Sequence, residues 1–154
     1  MFYQNFVNVR GLAMRSLSTI KSCPEDLVIC LHGWLDNVGS FVPLFSQAPK
    51  VPWYALDLIG HGQSQWRPET QYYYFNEYVN DLMLFIDSQP EKRIHLIGHS
   101  LGAAIASIVS GLLPERIVSC VLIDALGPLV NCSSSIAEHW RLSLHQYQTT
   151  RPIK

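Results

Sequence analysis

The pentapeptide at residues 98–102, Gly-His-Ser-Leu-Gly, restricts the fold of this chain more than any other stretch. An apolar run that predicts a buried strand precedes it, and a longer apolar run that predicts a helix follows it. Side chains two residues either side of the serine would collide with neighbouring chain, so Gly98 and Gly102 leave room for a very sharp turn. The sequence therefore predicts a strand–turn–helix unit with Ser100 at the turn.

Strand-like and helix-like segments alternate along the rest of the chain. Short apolar runs predict strands at residues 12–17, 27–31, 53–58, 93–97 and 117–123. Helices are predicted after Ser40, with Pro43 in the first turn, after Asn76, with an apolar stripe and an end at Pro90, and at residues 101–113. This alternation favours an α/β fold with a mostly parallel sheet and helices on both faces.

Composition limits the classes of partner. Hydrophobic residues make up 48% of the 154 residues and charged residues 15%, against about 25% charged in a typical soluble domain. The formal net charge of −1 favours neither nucleic acid nor an anionic membrane surface as a partner. Every apolar run falls short of the roughly 18 residues of a membrane span, and residues 1–10 lack the layout of a secretion signal. A cytoplasmic protein is therefore expected.

The four cysteines show neither a CxxC pair nor a ligand-like cluster, so no metal site is expected. Cys30 and Cys120 fall inside apolar strands and are predicted to be buried, reduced thiols.

The character of the sequence changes near residue 131, where a serine run precedes residues 136–147, whose spacing is typical of an amphipathic helix. No later segment can pair with the strand at residues 117–123, so this hydrophobic strand would form a sheet edge and promote self-association. We expect one core domain over residues 1–130 and a separate region over residues 131–154.

Ser100 has the surroundings of a catalytic nucleophile. At a helix N-terminus it meets free backbone N–H groups and the positive end of the helix dipole, both of which favour negative charge. The alternative is a serine that only caps the helix. Two nearby motifs are interpreted as architectural: His32 as a loop support through hydrogen bonds, and Asp57 with His61 as parts of a tight glycine turn.

Four segments together resemble the α/β-hydrolase fold family, and in particular its serine-hydrolase-like proteins. They are His-Gly-Trp-Leu-Asp-Asn at 32–37, Gly-His-Gly at 60–62, the pentapeptide at 98–102 and Leu-Ile-Asp-Ala-Leu-Gly-Pro at 122–128. The resemblance implies an eight-stranded sheet with a helical cap inserted after the strand that ends at Asp124. This chain would then stop after about six strands, with residues 131–154 as the start of the cap.

The same resemblance implies an oxyanion hole formed by the backbone amides of Trp34 and Leu101, and no cofactor. The Tyr-Tyr-Tyr-Phe run at residues 72–75 could border an acyl pocket or simply pack. A serine at position 100 argues against haloalkane dehalogenases and epoxide hydrolases, which attack with an aspartate.

The catalytic triad is incomplete in this sequence. A serine nucleophile needs a base and an acid that holds the base, in the family order serine, acid, histidine. Only His139 and His145 follow Ser100, and both lie in the predicted cap helix, so no catalytic histidine is assigned. Asp124 is a candidate for the acid; the alternatives are a loop anchor at Asp124 and an acid beyond the C-terminus.

The expected function is hydrolysis of a small carboxylic ester or related acyl compound, with this chain inactive on its own. The alternative is a non-catalytic half-fold that binds a partner or oligomerises through the strand at residues 117–123.

Overall fold

The protein is represented by a computed structural model that describes residues 2–21, 25–89 and 93–128. In chain order the elements are β1 (Tyr3–Val9), β2 (Leu12–Ser18), β3 (Asp26–Leu31), a 3₁₀ turn (Val38–Phe41), α1 (Val42–Gln47), β4 (Trp53–Leu56), α2 (Phe75–Asp87), β5 (Arg93–His99), α3 (Leu101–Leu112) and β6 (Ile117–Ile123). The helix predicted at residues 136–147, together with Cys23 and Cys132, lies outside the described residues.

The described strands form one sheet in the order β1-β2-β4-β3-β5-β6. The last four strands in this order run parallel to one another, while β1 and β2 are antiparallel to their neighbours. Leu31 on β3 pairs with Gly98 on β5, which in turn pairs with Leu122 on β6. The loops that leave these three strands therefore meet at one edge of the sheet, where ligands bind in open α/β sheets.

Helices cover both faces of the sheet, as the alternating pattern predicted. On one face α2 and α3 pack on the sheet through the buried residues Tyr78, Val79, Leu82, Phe85, Ile86, Ile105, Ala106 and Val109. On the other face α1 and the 3₁₀ turn contribute Phe45, Val38 and Phe41, which pack with Cys30 and Trp53.

The strand β1 was not predicted from the sequence. Most of its side chains are exposed, so it lacks the apolar run that marks a buried strand. It is joined to β2 by the two-residue turn Arg10–Gly11, in which both residues have positive φ angles of 54° and 83°. Two positive φ values are the geometry of the tight turns that suit the twist of a hairpin.

Two predicted helix caps are wrong. Ser40 lies inside the 3₁₀ turn, and its hydroxyl donates to the Asp36 carboxylate. The side chain of Asn37 caps that turn instead, accepting from the Gly39 amide at 2.9 Å, because an asparagine two residues before a free N–H closes a local ring. The second helix already begins at Phe75, so Asn76 lies in its first turn rather than before it.

The outer strand β6 lies at the edge of the sheet and is bonded to β5 alone among the described strands. Val118, Val121 and Ile123 on β6 are 47%, 51% and 45% exposed. The hydrophobic edge that the sequence predicted is therefore present in the described residues. Cys30 is buried, as predicted, whereas Cys120 on this strand is only partly buried, because little chain covers β6; both are free thiols.

Candidate active site

The backbone turns sharply at Ser100, between β5 and α3. Ser100 has φ 49° and ψ −112°, a combination that L-residues rarely adopt. Its amide donates to the Ile123 carbonyl at 2.9 Å, and its carbonyl accepts from the Ala104 amide at 3.0 Å. The serine is thus held between the end of β6 and the first turn of α3.

Close approach of backbone explains the two glycines that flank this turn. A Cβ atom on Gly98 would overlap the Gly102 carbonyl oxygen, and one on Gly102 would overlap the Leu31 carbonyl oxygen. The Gly102 amide donates to the His32 carbonyl at 3.1 Å, which ties the start of α3 to the end of β3. Only glycine fits at both positions.

The loop after β3 lies against the serine. A Cβ atom on Gly33 would be 3.4 Å from the Ser100 Cβ and 2.9 Å from the His99 Nδ1. Leu35 in this loop has a positive φ of 58°. The amides of Trp34 and Leu101 donate to no acceptor in the part of the chain that the structure describes. Trp34 lies in the loop and Leu101 begins the helix, and among the described residues both amides are without an acceptor.

His32 supports this loop through both ring nitrogens. Its Nε2 accepts from the Leu58 amide at 3.0 Å, so the proton lies on Nδ1, which donates to the Gly33 carbonyl at 2.7 Å. Burial lowers the pKa of His32, so the ring is neutral. The predicted supporting role of His32 is confirmed by these contacts.

Asp57 holds the turn that follows β4. Its buried carboxylate accepts from the Val38 amide at 2.7 Å, the Gln63 amide at 2.8 Å and the Arg15 guanidinium at 3.1 Å. A Cβ atom on Gly62 would overlap this carboxylate. The contacts agree with the architectural interpretation of Asp57.

His61 packs beneath the loop. It is 7% exposed, and its ring centroid lies 5.2 Å from that of His32 and 5.2 Å from that of Trp34, which it meets edge-on. On its other side it contacts the Tyr78 ring of α2 at 6.0 Å. His61 therefore links the helix α2 to the Trp34 loop by packing.

A cavity of about 630 Å³ opens beside Ser100. The described residues that line it are Trp34, Phe75, Ser100, Leu101, Ala104, Asp124, Ala125, Gly127 and Pro128. Four site residues predicted from sequence are thus brought to one cavity: Ser100, Asp124, Trp34 and Leu101. His139 and His145 lie outside the described residues.

Backbone strain marks the same place without reference to the motif. Within the described ranges, four residues other than glycine have a positive φ: Arg10, Leu35, Ser100 and Asp124. Arg10 belongs to the β1–β2 turn, whereas the other three lie in the loops at the carboxyl ends of β3, β5 and β6. Strained residues gather at functional sites because only surrounding structure can hold them.

Sequence analysis missed several residues that line the cavity. Ala104 follows Ser100 by four residues and therefore lies on the same side of α3, a signal that was available in the sequence. Ala125, Gly127 and Pro128 reach the cavity because they leave β6 beside the serine. Of the aromatic run at residues 72–75, Phe75 lines the cavity, whereas Tyr73 packs against Gly60.

The described residues contain neither a membrane-spanning helix nor a metal-binding cluster. No helix in residues 2–21, 25–89 and 93–128 combines the length and apolar character needed to cross a membrane. Over the same ranges, no three histidine, cysteine or acidic side chains are grouped so that they could hold a metal ion.

Comparison with known proteins agrees with this architecture. The profile of the α/β hydrolase fold family matches residues 26–151. A serine hydrolase-like protein of Danio rerio is 42% identical over 102 residues, which cover 65% of this chain and 31% of that protein. Lipase LipV of Mycobacterium tuberculosis is 31% identical over 98 residues, which cover 63% of this chain and 36% of that lipase.

A thioesterase domain from the curacin biosynthetic pathway matches in structure with a TM-score of 0.79 over 99% of this chain and 56% of that domain. At 24% identity this likeness concerns the fold alone. The chain spans about a third of the length of the curated relatives it matches. Because the matching profile extends over most of the 154 residues, the chain belongs to the α/β-hydrolase fold family.

Proposed function

We propose that this chain carries the nucleophile and the oxyanion site of a serine hydrolase that acts on carboxylic esters or related acyl compounds. The observation that carries the proposal is Ser100 on a strained turn, lining one cavity with Trp34 and Leu101, whose amides have no acceptor among the described residues. The names of the relatives, which include serine hydrolase-like proteins and a lipase, support the same class of reaction.

In the proposed reaction the Ser100 Oγ attacks the acyl carbon and forms a new C–O bond. The carbonyl electrons move to the oxygen, and the amides of Trp34 and Leu101 donate to that oxyanion. Collapse of the intermediate expels the alcohol, and water then releases the acid from the acyl-serine. Backbone donors suit this role because the β3 loop and the start of α3 hold them in place before the charge forms.

A base must accept the Ser100 proton and return it to the alcohol. His32 cannot be this base, because its two nitrogens are bonded to Gly33 and Leu58 and burial lowers its pKa. We place the base in a part of the protein other than these 154 residues, since His139 and His145 belong to the predicted cap helix and the match to the Danio rerio relative covers only 31% of that protein. Asp124, which lines the cavity at the end of β6, is the proposed acid that orients it.

Hydrolysis of a short activated ester such as p-nitrophenyl butyrate tests the proposal. Ser100→Ala in a protein that supplies the base is expected to lower kcat by several orders of magnitude. Ser110→Ala is the matched control, because Ser110 lies on the same helix and its hydroxyl only donates to the Ala106 carbonyl. Turnover that survives in Ser100→Ala would remove Ser100 as the nucleophile.

The 154-residue chain assayed alone is expected to show only a trace of turnover, since oxyanion binding without a base leaves a small residual rate. If the isolated chain hydrolysed the ester as fast as known esterases do, the proposal that another part of the protein supplies the base would be contradicted.

The exposed edge strand β6 favours a second candidate, a non-catalytic protein that binds a partner through this edge. Such a protein would self-associate or bind another chain, and Ser100→Ala would leave that binding unchanged. Sedimentation of the wild-type and Ser100→Ala chains, run beside the ester assay, separates the two candidates.

A further inference from the structure

The cavity beside Ser100 is lined almost entirely by apolar side chains. Of its described lining residues, only Ser100 and Asp124 carry polar side chains, and no lysine, arginine or histidine side chain is among them. A charged group buried here would lose its hydration without gaining a partner of opposite charge. An anionic group would in addition face the carboxylate of Asp124.

Ala104 places a small side chain next to the nucleophile. It lies one helical turn beyond Ser100, and its amide donates to the Ser100 carbonyl at 3.0 Å, so the two residues share one side of α3. Ala104 lines the cavity, and the residue is 6% exposed. A larger side chain at this position would occupy space that a ligand bound at Ser100 can now use.

We propose that this cavity binds an uncharged, apolar acyl chain and that Ala104 sets the length of chain that fits. The inference rests on the proposed function, because it takes Ser100 as the group that receives the acyl carbon. The volume of about 630 Å³ lies within the range of pockets that enclose small organic ligands. Along such an apolar wall each added methylene group tightens binding by up to about fourfold.

Binding of amides tests this inference without the need for catalysis. The probes are N-methylacetamide, N-methyloctanamide and the octanamide analogue that ends in a carboxylate, titrated into the full chain by calorimetry. We expect the octanoyl amide to bind at least about tenfold more tightly than either the acetyl amide or the carboxylate-ended amide. Equal affinity for the charged and uncharged octanoyl amides would overturn the inference.

Ala104→Leu should weaken binding of the octanoyl amide by about tenfold, because the added carbons fill the cavity, and should leave the acetyl amide unchanged. Ile108→Leu is the matched control: Ile108 lies one turn further along α3, is 36% exposed and is not among the residues that line the cavity. Equal weakening of both amides by Ala104→Leu would overturn the role of Ala104. If Ala104→Leu fails to fold by circular dichroism, Ala104→Ser replaces it, with weaker octanoyl binding as the expected result.

The two proposals fail in different ways. Selective binding of the octanoyl amide, together with ester turnover that persists in Ser100→Ala, would remove the serine mechanism and retain the apolar cavity. Turnover that requires Ser100 but shows no preference for apolar chains would remove only the present inference.

Discussion

At the scale of single residues, the site depends on a small number of buried polar contacts. His32 illustrates this, because one neutral ring satisfies a donor at Leu58 and an acceptor at Gly33. The Gly33 carbonyl belongs to the loop that lies against Ser100. Replacing this ring therefore affects both stability and the position of the loop that holds Trp34, the proposed oxyanion donor.

His32→Gln is expected to destabilise the fold by about 1–3 kcal/mol at pH 7.5, because it leaves buried polar groups without their partners. Urea unfolding followed by circular dichroism measures the loss. His95→Gln is the control: the His95 side chain is 30% exposed, and its partners are the Ser119 hydroxyl at 2.8 Å and the half-exposed Asp26 carboxylate at 3.7 Å, so a much smaller change is expected.

The stability of the wild-type chain should depend on pH through His32. Burial lowers the pKa of His32 in the folded chain, so below about pH 6.5 the unfolded chain binds more protons than the folded one. The contribution of His32 to the free energy of unfolding is complete above that pH and falls by up to about 1.4 kcal/mol per pH unit below it. The free energies of unfolding of wild type and His32→Gln should therefore differ less at pH 5.5 than at pH 7.5. A difference that is the same at both pH values would show that His32 is not the source of the pH dependence.

At the scale of elements, the close packing of α3 against β3 fixes the turn at Ser100. Gly102 permits this contact, whereas Gly111 near the other end of the same helix has open space around its Cα. Gly102 is therefore required for the packing of α3, whereas Gly111 on the same helix is not.

Gly102→Ala should destabilise the fold by about 1–3 kcal/mol, because its Cβ would overlap the Leu31 carbonyl. Gly111→Ala, the matched control, should stabilise it by about 0.4–1 kcal/mol, because alanine restricts the unfolded chain and favours the helix. Thermal unfolding of both variants compares the two shifts. A stabilising Gly102→Ala would show that α3 can move away from β3 at little cost.

The elements that the sequence predicted well are those buried on both faces. The strands β3 and β5 appear as continuous apolar runs because helices cover both faces of the sheet there. The strand β6 is the exception, since it was predicted from its apolar run although one of its faces is exposed among the described residues. The strand β1 was missed because its side chains are mostly exposed, and the cap at Asn37 was missed because it depends on a local hydrogen bond rather than on periodicity.

In the candidate site, too, one part was predictable from the sequence and another part was not. The sharp turn at Ser100 was predicted because close backbone contacts require glycine at fixed spacing on either side, and this spacing is visible in the sequence. The apolar wall was not identified as a whole, because residues 125–128 reach it only through the path of the chain after β6. Cavity shape depends on tertiary placement, which no spacing rule encodes.

At the scale of the whole molecule, the described sheet has the β1–β2 hairpin at one edge and the parallel strand β6 at the other. The face of β6 that carries Val121 and Ile123 has no helix over it among residues 2–21, 25–89 and 93–128. Exposed apolar strand surface at a sheet edge promotes association.

Val121→Lys should therefore reduce self-association of this chain, because a lysine at an edge opposes pairing with another strand. Sedimentation velocity across a range of protein concentrations measures the change. Leu84→Lys is the control: Leu84 is also exposed, at 41%, but lies on α2 on the helix-covered side of the sheet. An unchanged mass distribution in Val121→Lys would show that the edge does not drive association.

The hydrogen bond from the Ser100 amide to the Ile123 carbonyl ties the end of the edge strand β6 to the proposed nucleophile. Among the described strands, β6 is bonded along one side only, to β5. A chain that pairs with the free edge of β6 would therefore also restrain Ser100, although it would not contact the proposed active site. We therefore expect the Ser100 hydroxyl to become more rigid when another strand pairs with β6.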